Sequence, residues 1–296
     1  MGGAVEVEAP WAVRRSRTDA LRARYPFAGE ILTLYAALLD VQEPAYARAL
    51  AARPSSPASY AVEHVLPAVV GVTMAHGPAH LARALRDRSP WPGAVRAVEA
   101  WLAGADQSPI DRYLARAAAG PVLEALTQSG RAYRGAGAPG DGPRDERHCP
   151  SCGGLPQVSY LAPPGDDLVG ARRYLVCGRC ATAWPYPRAT CAACGERDGA
   201  RLPVYAEEGT AEVETSGGVV RGLARRPEPV PAGGSAPRFP HVRVEACETC
   251  ARYLLAIDLA RDPRAVPVVD EMAAVPLDLY AQERGLSKIV PNLMGV

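Results

Sequence analysis

The chain has 296 residues, which is enough for one large domain or for two to three smaller ones. Its 48% hydrophobic content can fill a sizeable core and argues against global disorder. With 33 basic and 32 acidic side chains the formal net charge is +1, so bulk electrostatic capture of nucleic acid is not expected.

The N-terminal half is predicted to be helical. Residues 1–16 are expected to form a flexible tail, and residues 17–134 a helical domain with a break near Gly120-Pro121. Apolar residues early in this domain recur at the spacing of one helix face: Ile31, Leu34, Tyr35, Leu38 and Leu39. A Gly/Pro/Ala-rich linker is predicted over residues 135–147.

The pattern changes after residue 148, where short alternating segments predict β-strands. The segments are Val158–Leu161, Arg172–Val176, Leu202–Ala206 and His241–Glu245. Residues 216–240 lack periodicity and are predicted to be an inserted mobile loop. A C-terminal helical segment and tail are predicted over residues 263–296, with a helix pair between Val269 and Arg284.

No targeting or membrane-spanning segment is predicted. The apolar runs are well short of the ~20 residues that a membrane helix needs. Arg14-Arg15 could begin a twin-arginine export signal, but polar residues follow where an apolar stretch should be. The chain is therefore expected in the cytoplasm, where structural disulfides are rare.

All eight cysteines occur in Cys-x-x-Cys pairs. They are Cys149/Cys152, Cys177/Cys180, Cys191/Cys194 and Cys247/Cys250. One such pair lets two thiolates from a tight turn bind the same metal, and two turns complete a tetrahedral four-thiolate site. A small β unit needs such a metal because its own core is thin. The spacing therefore predicts two metal sites.

An internal repeat indicates which pairs go together. The first and third pairs are followed by Gly153 and Gly195, whereas the second and fourth follow strand-like segments. This order predicts two tandem units, residues 148–190 and 191–262, each a zinc-ribbon or rubredoxin-like hairpin. The first site is then Cys149, Cys152, Cys177 and Cys180, and the second is Cys191, Cys194, Cys247 and Cys250. A crossed pairing of the turns stays open, since sequence does not fix connectivity.

Four thiolates accept either Zn or Fe, so the spacing leaves the metal open. A complete four-cysteine shell has no open position for hydrolysis, although an iron site could transfer an electron. We find no nucleophile–base constellation and predict no catalytic residues. Asp270, Glu271 and Asp278 are interpreted as a solvated helix face.

The sequence resembles the formate dehydrogenase accessory protein FdhE family. The resemblance lies in His148–Gly153, Arg173–Cys177, Cys180–Trp184, Arg188–Cys194, Val242–Cys250, Tyr253-Leu254, Val269–Glu271, Leu277-Asp278 and Pro291-Asn292. Four pairs in this order are far more specific than any single pair. The segment 216–240 is longer than the family usually shows.

The resemblance implies an α+β protein: a helical N-terminal domain, two tandem rubredoxin-like metal units and a short helical C-terminal segment. It implies a cytoplasmic maturation factor that binds the catalytic subunit of a formate dehydrogenase and is not itself an enzyme. All eight cysteines would be ligands, with Trp184 and Tyr253 packed behind the metal turns. A zinc-ribbon nucleic-acid or transcription-associated module, and a rubredoxin-type electron carrier, are the alternatives; no nucleic acid and no membrane span is expected.

Overall fold

The computed structural model describes residues 10–88, 91–130, 145–163, 171–207, 228–230 and 237–295. Its N-terminal region is helical and its C-terminal region is built on a mixed β-sheet flanked by helices, which confirms the predicted fold class. The N-terminal helices are α1 (Pro10–Arg24), α2 (Gly29–Ala52), α3 (Pro57–His64), α4 (Leu66–His76), α5 (Ala79–Arg88), α6 (Ala94–Ala103) and α7 (Pro109–Gln128). Residues 135–144 of the predicted linker lie outside the described residues.

The predicted N-terminal tail is wrong for residues 10–16, which form the first part of α1. Two arginines fix this helix to distant parts of the chain. The Arg14 guanidinium donates to both carboxylate oxygens of Glu124 in α7, at 2.8 and 3.0 Å. Arg17 is buried and donates to Asp262 and Asp270. Charge pairing therefore orders a segment whose polar sequence indicates a tail.

Helix α7 continues through Pro121, so the predicted break at Gly120-Pro121 is also wrong. Proline has no N–H to donate to the carbonyl four residues earlier, which here belongs to Ala117. The side-chain amide of Gln42 in α2 donates to that carbonyl at 2.8 Å. A tertiary hydrogen bond thus replaces the missing helical one.

Replacing Gln42 by leucine is expected to lower the free energy of unfolding by about 1–3 kcal/mol, because the buried Ala117 carbonyl loses this donor. Urea denaturation measures the change. Gln128→Leu, at the exposed last residue of α7, is the control. Its free energy of unfolding should stay within about 0.5 kcal/mol of that of the parent. Equal effects of the two substitutions would contradict this role of Gln42.

The described strands form one sheet. They are β1 (Pro156–Leu161), β2 (Arg173–Cys177), β3 (Ala183–Pro185), β4 (Val204–Glu207), β5 (Glu228–Val230), β6 (Val242–Cys247), β7 (Arg252–Asp258) and β8 (Ser287–Lys288). Their order is β3-β2-β1-β7-β6-β4-β5, with β8 added beside β7. Helices α8 (Pro267–Ala273) and α9 (Val275–Glu283) follow β7 and form the predicted C-terminal helix pair.

The predicted internal repeat is visible in the strand order. Strands β3-β2-β1 form one triplet and β7-β6-β4 form a second triplet in the corresponding order. In each triplet a Cys-x-x-Cys turn connects two antiparallel strands, β2 with β3 and β6 with β7. Strands β1 and β7 pair in parallel and join the triplets into one sheet, with Val158 opposite Leu255.

The hydrophobic core does not follow the predicted domain boundaries. One cluster joins the helices from α2 to α7 to the first metal unit, and includes Leu34, Leu123 and Cys177. The other joins α1, the sheet, α8 and α9, and includes Trp11 and Ile257. The boundaries therefore mark changes of secondary structure, while the helical and β regions share their cores.

Most of the predicted inserted loop, residues 216–240, lies outside the described residues. Residues 228–230 within it form β5, which pairs in parallel with β4, so this part is a strand and not a loop. Among the described residues no single helix is long and apolar enough to cross a membrane. The pair α3 and α4 passes on length and composition only when taken together across a 49° bend.

Candidate metal centres

The first metal centre brings together the four cysteines that the repeat assigns to it. Sγ of Cys149 lies 3.6 Å from Sγ of Cys180, and Sγ of Cys152 lies 3.4 Å from Sγ of Cys177. A tetrahedral site with metal–sulfur bonds of about 2.3 Å has sulfur–sulfur distances near 3.8 Å. All four side chains are buried. The spacing and the soft thiolate donors fit one tetrahedral Zn or Fe ion.

The second centre has the same plan but reaches solvent. Sγ of Cys191 lies 3.8 Å from Sγ of Cys250, and Sγ of Cys194 lies 3.7 Å from Sγ of Cys247. Cys191 and Cys247 are buried, Cys194 is exposed, and Cys250 is half-buried. None of the eight cysteines forms a disulfide. The sequential pairing, rather than the crossed one, is the arrangement that the structure brings together.

All four turns end on a left-handed residue after their second cysteine. Gly153 and Gly195 have φ of 72° and 82°, as their identity suggested. Ala181 and Ala251 take the same conformation at 55° and 52°. The backbone of the turn therefore imposes this conformation even where alanine makes it costly. Sequence reasoning found the glycines and missed the alanines.

The first centre is embedded in the helical region. Gly178, between two ligands, packs so closely that an added Cβ would lie 2.8 Å from a methyl group of Val290. Gly154 is similarly confined, because an added Cβ would lie 3.0 Å from Sγ of Cys177. All four cysteines of this centre belong to the core cluster that contains α2 and α7. A metal bound here would therefore stabilise more of the chain than its own hairpin.

Hydrogen bonds fix the two centres relative to each other. Arg147, just before the first turn, donates to the carbonyl of Ala193 inside the third turn at 2.9 Å. The same guanidinium holds the pKa of the Asp145 carboxyl at about 2. Buried Arg173 of β2 donates to the carbonyl of Thr190 at 3.0 Å, and the Tyr186 hydroxyl donates to the carbonyl of Cys191 at 3.0 Å. These contacts hold the second centre against the first unit.

The two aromatic residues expected behind the metal turns occupy different places. Trp184 lies in the core cluster of the first centre, and its indole N–H donates to the carbonyl of Glu146 at 2.9 Å. Tyr253 lies in the other cluster, which contains no cysteine, and its hydroxyl donates to Asp278 at 2.9 Å. Trp184 thus lies in the core of the first centre, while the packing of Tyr253 behind a metal turn stays a prediction.

A buried charge network lies where a solvated helix face was expected, so that interpretation is wrong. The ammonium group of Lys288 lies 2.7 Å from Glu271 and 2.9 Å from Asp278, and all three side chains are buried. Burial raises the pKa of both carboxyl groups, and Lys288 opposes the shift. Gln157 also donates to Glu271. The signal in the sequence was that Lys288 is the one lysine among 33 basic residues.

Asp270 is buried in a separate network. It accepts hydrogen bonds from Arg17 and pairs with His241 at 2.8 Å, beside Asp262. His241, Asp262 and Asp270 lie close enough to hold a metal ion. The Arg17 guanidinium already pairs with both aspartates, and that of Arg264 lies 3.8 Å from Asp262, so two cations of the chain face the two carboxylates and the group fits a metal poorly.

A chelator is expected to remove the two metals in separate phases, the second-centre metal first, because Cys194 is exposed while every ligand of the first centre is buried. A difference of about 1.4 kcal/mol in barrier suffices for a tenfold separation of rates. A chromogenic chelator measures the release. Cys194→Ser should lack the fast phase, and loss of the slow phase instead would contradict the assignment.

The fold and the centres together define a class: an α+β protein with a helical N-terminal region and two tandem four-cysteine sites of the zinc-ribbon or rubredoxin type. Comparison with known families is specific within that class. The model of the FdhE central domain matches residues 148–188, and the model of the FdhE C-terminal domain matches residues 231–294. The chain is therefore similar to FdhE proteins over these two segments, which contain three of the four Cys-x-x-Cys pairs.

Individual relatives agree. The FdhE homologue of Aquifex aeolicus is 31% identical over 150 residues, which are 51% of this chain and 42% of the relative. The homologue of Haemophilus influenzae strain Rd is 28% identical over 141 residues, 48% of this chain and 36% of the relative. The match thus spans about two fifths of these curated relatives. The crystal structure of FdhE from Pseudomonas aeruginosa shares the fold, with a TM-score of 0.60, 20% identity, and coverage of 97% of this chain and 95% of that one.

Proposed function

We propose that the chain is an accessory factor that binds the catalytic subunit of a formate dehydrogenase and is needed for that enzyme's assembly or activation. The observation that carries the proposal is the pair of four-cysteine centres, in the order and spacing characteristic of FdhE, on the FdhE fold. The factor acts in the cytoplasm, where its thiolates stay reduced.

The centres support a binding role and no catalytic one of their own. Each would hold one Zn or Fe ion through four thiolates, which leaves no coordination position for a substrate. The first centre would stabilise the fold. The second reaches solvent through Cys194 and Cys250, so an iron ion there could exchange an electron with a docked partner.

Deletion and complementation in the native host test the proposal. A strain without the gene should lose formate dehydrogenase activity, and the wild-type chain should restore it. A chain with Cys191→Ser and Cys194→Ser tests the second centre, with Arg96→Gln on an exposed helix face as the matched control. Undiminished formate dehydrogenase activity in the deletion strain would contradict the proposal.

A further inference from the structure

A cavity of about 170 Å³ lies beside the second metal centre. It opens between β6 and β7 and the segment 188–192, which leads into the third cysteine turn, and Cys191 is part of its wall. Six charged residues line it: Arg173, Arg188, Arg243, Arg252, Glu245 and Asp258. The lining therefore carries an excess of two positive charges.

The two carboxylates are already engaged. Glu245 accepts hydrogen bonds from Arg173 and from the hydroxyl of Ser159. Asp258 lies 3.5 Å from a guanidinium nitrogen of both Arg243 and Arg261. Exposed Arg188, by contrast, has no acidic partner within the described part of the chain. The excess of positive charge thus remains available to a ligand.

Two buried guanidinium N–H groups in this lining have no acceptor in the part of the chain that the structure describes. Arg173 is 4% exposed, and both its Nε and that of Arg243 are buried without a hydrogen-bond partner among the described residues. Buried donors are nearly always paired in folded proteins. Burial lowers the pKa of Arg243; Asp258 opposes this shift, while Arg261 and Arg188 add to it. Each arginine thus has a carboxylate neighbour but keeps one buried N–H that could donate to a ligand.

We propose that this cavity binds a compact oxyanion through Arg188 and Arg243, with the buried Arg173 behind them. The ligand carries a phosphate or carboxylate group, which guanidinium forks bind in bidentate fashion. Leu161, Leu254 and Ile289 in the wall accommodate a small apolar part. The carboxylate of an acidic peptide side chain offers the same chemistry as a free anion. The site would exist whether or not the chain serves formate dehydrogenase.

Calorimetric titration of the zinc-loaded chain tests the site. One arm uses inorganic phosphate, and the other uses N-acetylaspartic acid α-amide, which keeps a free side-chain carboxylate like that of a peptide. At least one ligand should bind with millimolar or better affinity. Arg188→Gln should weaken that binding about tenfold or more, because a charge-assisted contact is lost. Arg96→Gln, on the exposed face of α6, should leave it unchanged.

Nitrogen-15 spectra of the arginine Nε–H groups add a local readout, since the signals of Arg173 and Arg243 should shift on binding. Binding of phosphate alone would identify a free anion as the ligand. Binding of the aspartic acid amide would identify a peptide carboxylate, and either result supports the site. Failure of both ligands to bind, or equal binding by the parent and Arg188→Gln, would overturn it. Arg188 is exposed, so this variant keeps the fold, which two zinc ions per chain would verify.

Discussion

Replacing Cys177 by serine is expected to release the metal of the first centre and abolish the cooperative unfolding transition of the chain. A structural four-thiolate zinc contributes about 10–16 kcal/mol of apparent binding free energy in small domains. The whole stability of a typical protein is about 5–15 kcal/mol. Because Cys177 shares a core cluster with α2 and α7, the loss should reach the helical region.

The matched control is Cys194→Ser in the second centre. This cysteine is exposed and belongs to neither core cluster, so its loss should remove one metal and leave the helical content and most of the unfolding transition intact. Metal analysis and thermal melting followed by circular dichroism compare the variants. Equal destabilisation by the two substitutions would show that the first centre has no special place in the core.

Replacing Lys288 by methionine is expected to destabilise the chain by about 3–5 kcal/mol at neutral pH, because two buried carboxylates lose their counter-charge. Methionine keeps the length and apolar character of the lysine stem, so packing changes little. The hydroxyl of Tyr253 and the amide of Gln157 remain as donors to Asp278 and Glu271. Chemical denaturation measures the difference.

The destabilisation caused by Lys288→Met should be larger at neutral pH than at acidic pH. Burial raises the folded-state pKa of Glu271 and Asp278, and removing Lys288 raises it further. The folded state then binds protons more tightly than the unfolded one, so stability falls as pH rises through the folded pKa. The destabilisation should shrink from roughly pH 7 toward pH 5, closer to the ordinary carboxyl pKa near 4.

A triple variant separates charge from packing in this network. Adding Glu271→Gln and Asp278→Asn to Lys288→Met removes the unpaired charges and should recover much of the stability. It should also abolish the extra pH dependence. A Lys288→Met effect that is the same at both pH values would contradict the assignment of Lys288 as the counter-charge.

The metal centres could be predicted from sequence because their determinants are local. A Cys-x-x-Cys turn carries its geometry within a few residues, and the glycine after the first and third pairs revealed the repeat. The pairing of turns followed from that repeat and agrees with the sulfur positions. The different exposure of Cys177 and Cys194 could not be predicted, since it depends on which helices cover each centre.

Strand β7 shows why the sheet was only partly predicted. Its residues Tyr253 to Asp258 are all buried, because β1 and β6 flank it and helices cover the sheet. A strand buried on both faces has no alternation of polar and apolar residues to detect. The strand that joins the two metal units was therefore absent from the sequence prediction.

Tertiary contacts account for the other errors. The chain passes Pro121 as a helix because Gln42, 75 positions away along the chain from Ala117, supplies a hydrogen bond. Residues 10–16 are ordered with the help of Glu124 in α7. Glu271 and Asp278 are buried because Lys288 meets them. In each case the stabilising partner is a polar residue far away along the chain, which local sequence patterns do not reveal.

Affinity capture of the tagged chain from its native host, with metal analysis of the eluate, tests whether the chain binds a formate dehydrogenase. We expect the catalytic subunit of a formate dehydrogenase to co-purify with a chain that carries two metal ions. The subunit should be lost from a chain with both Cys177→Ser and Cys180→Ser. A fully metallated chain that captures no formate dehydrogenase subunit from cells expressing that enzyme would contradict it.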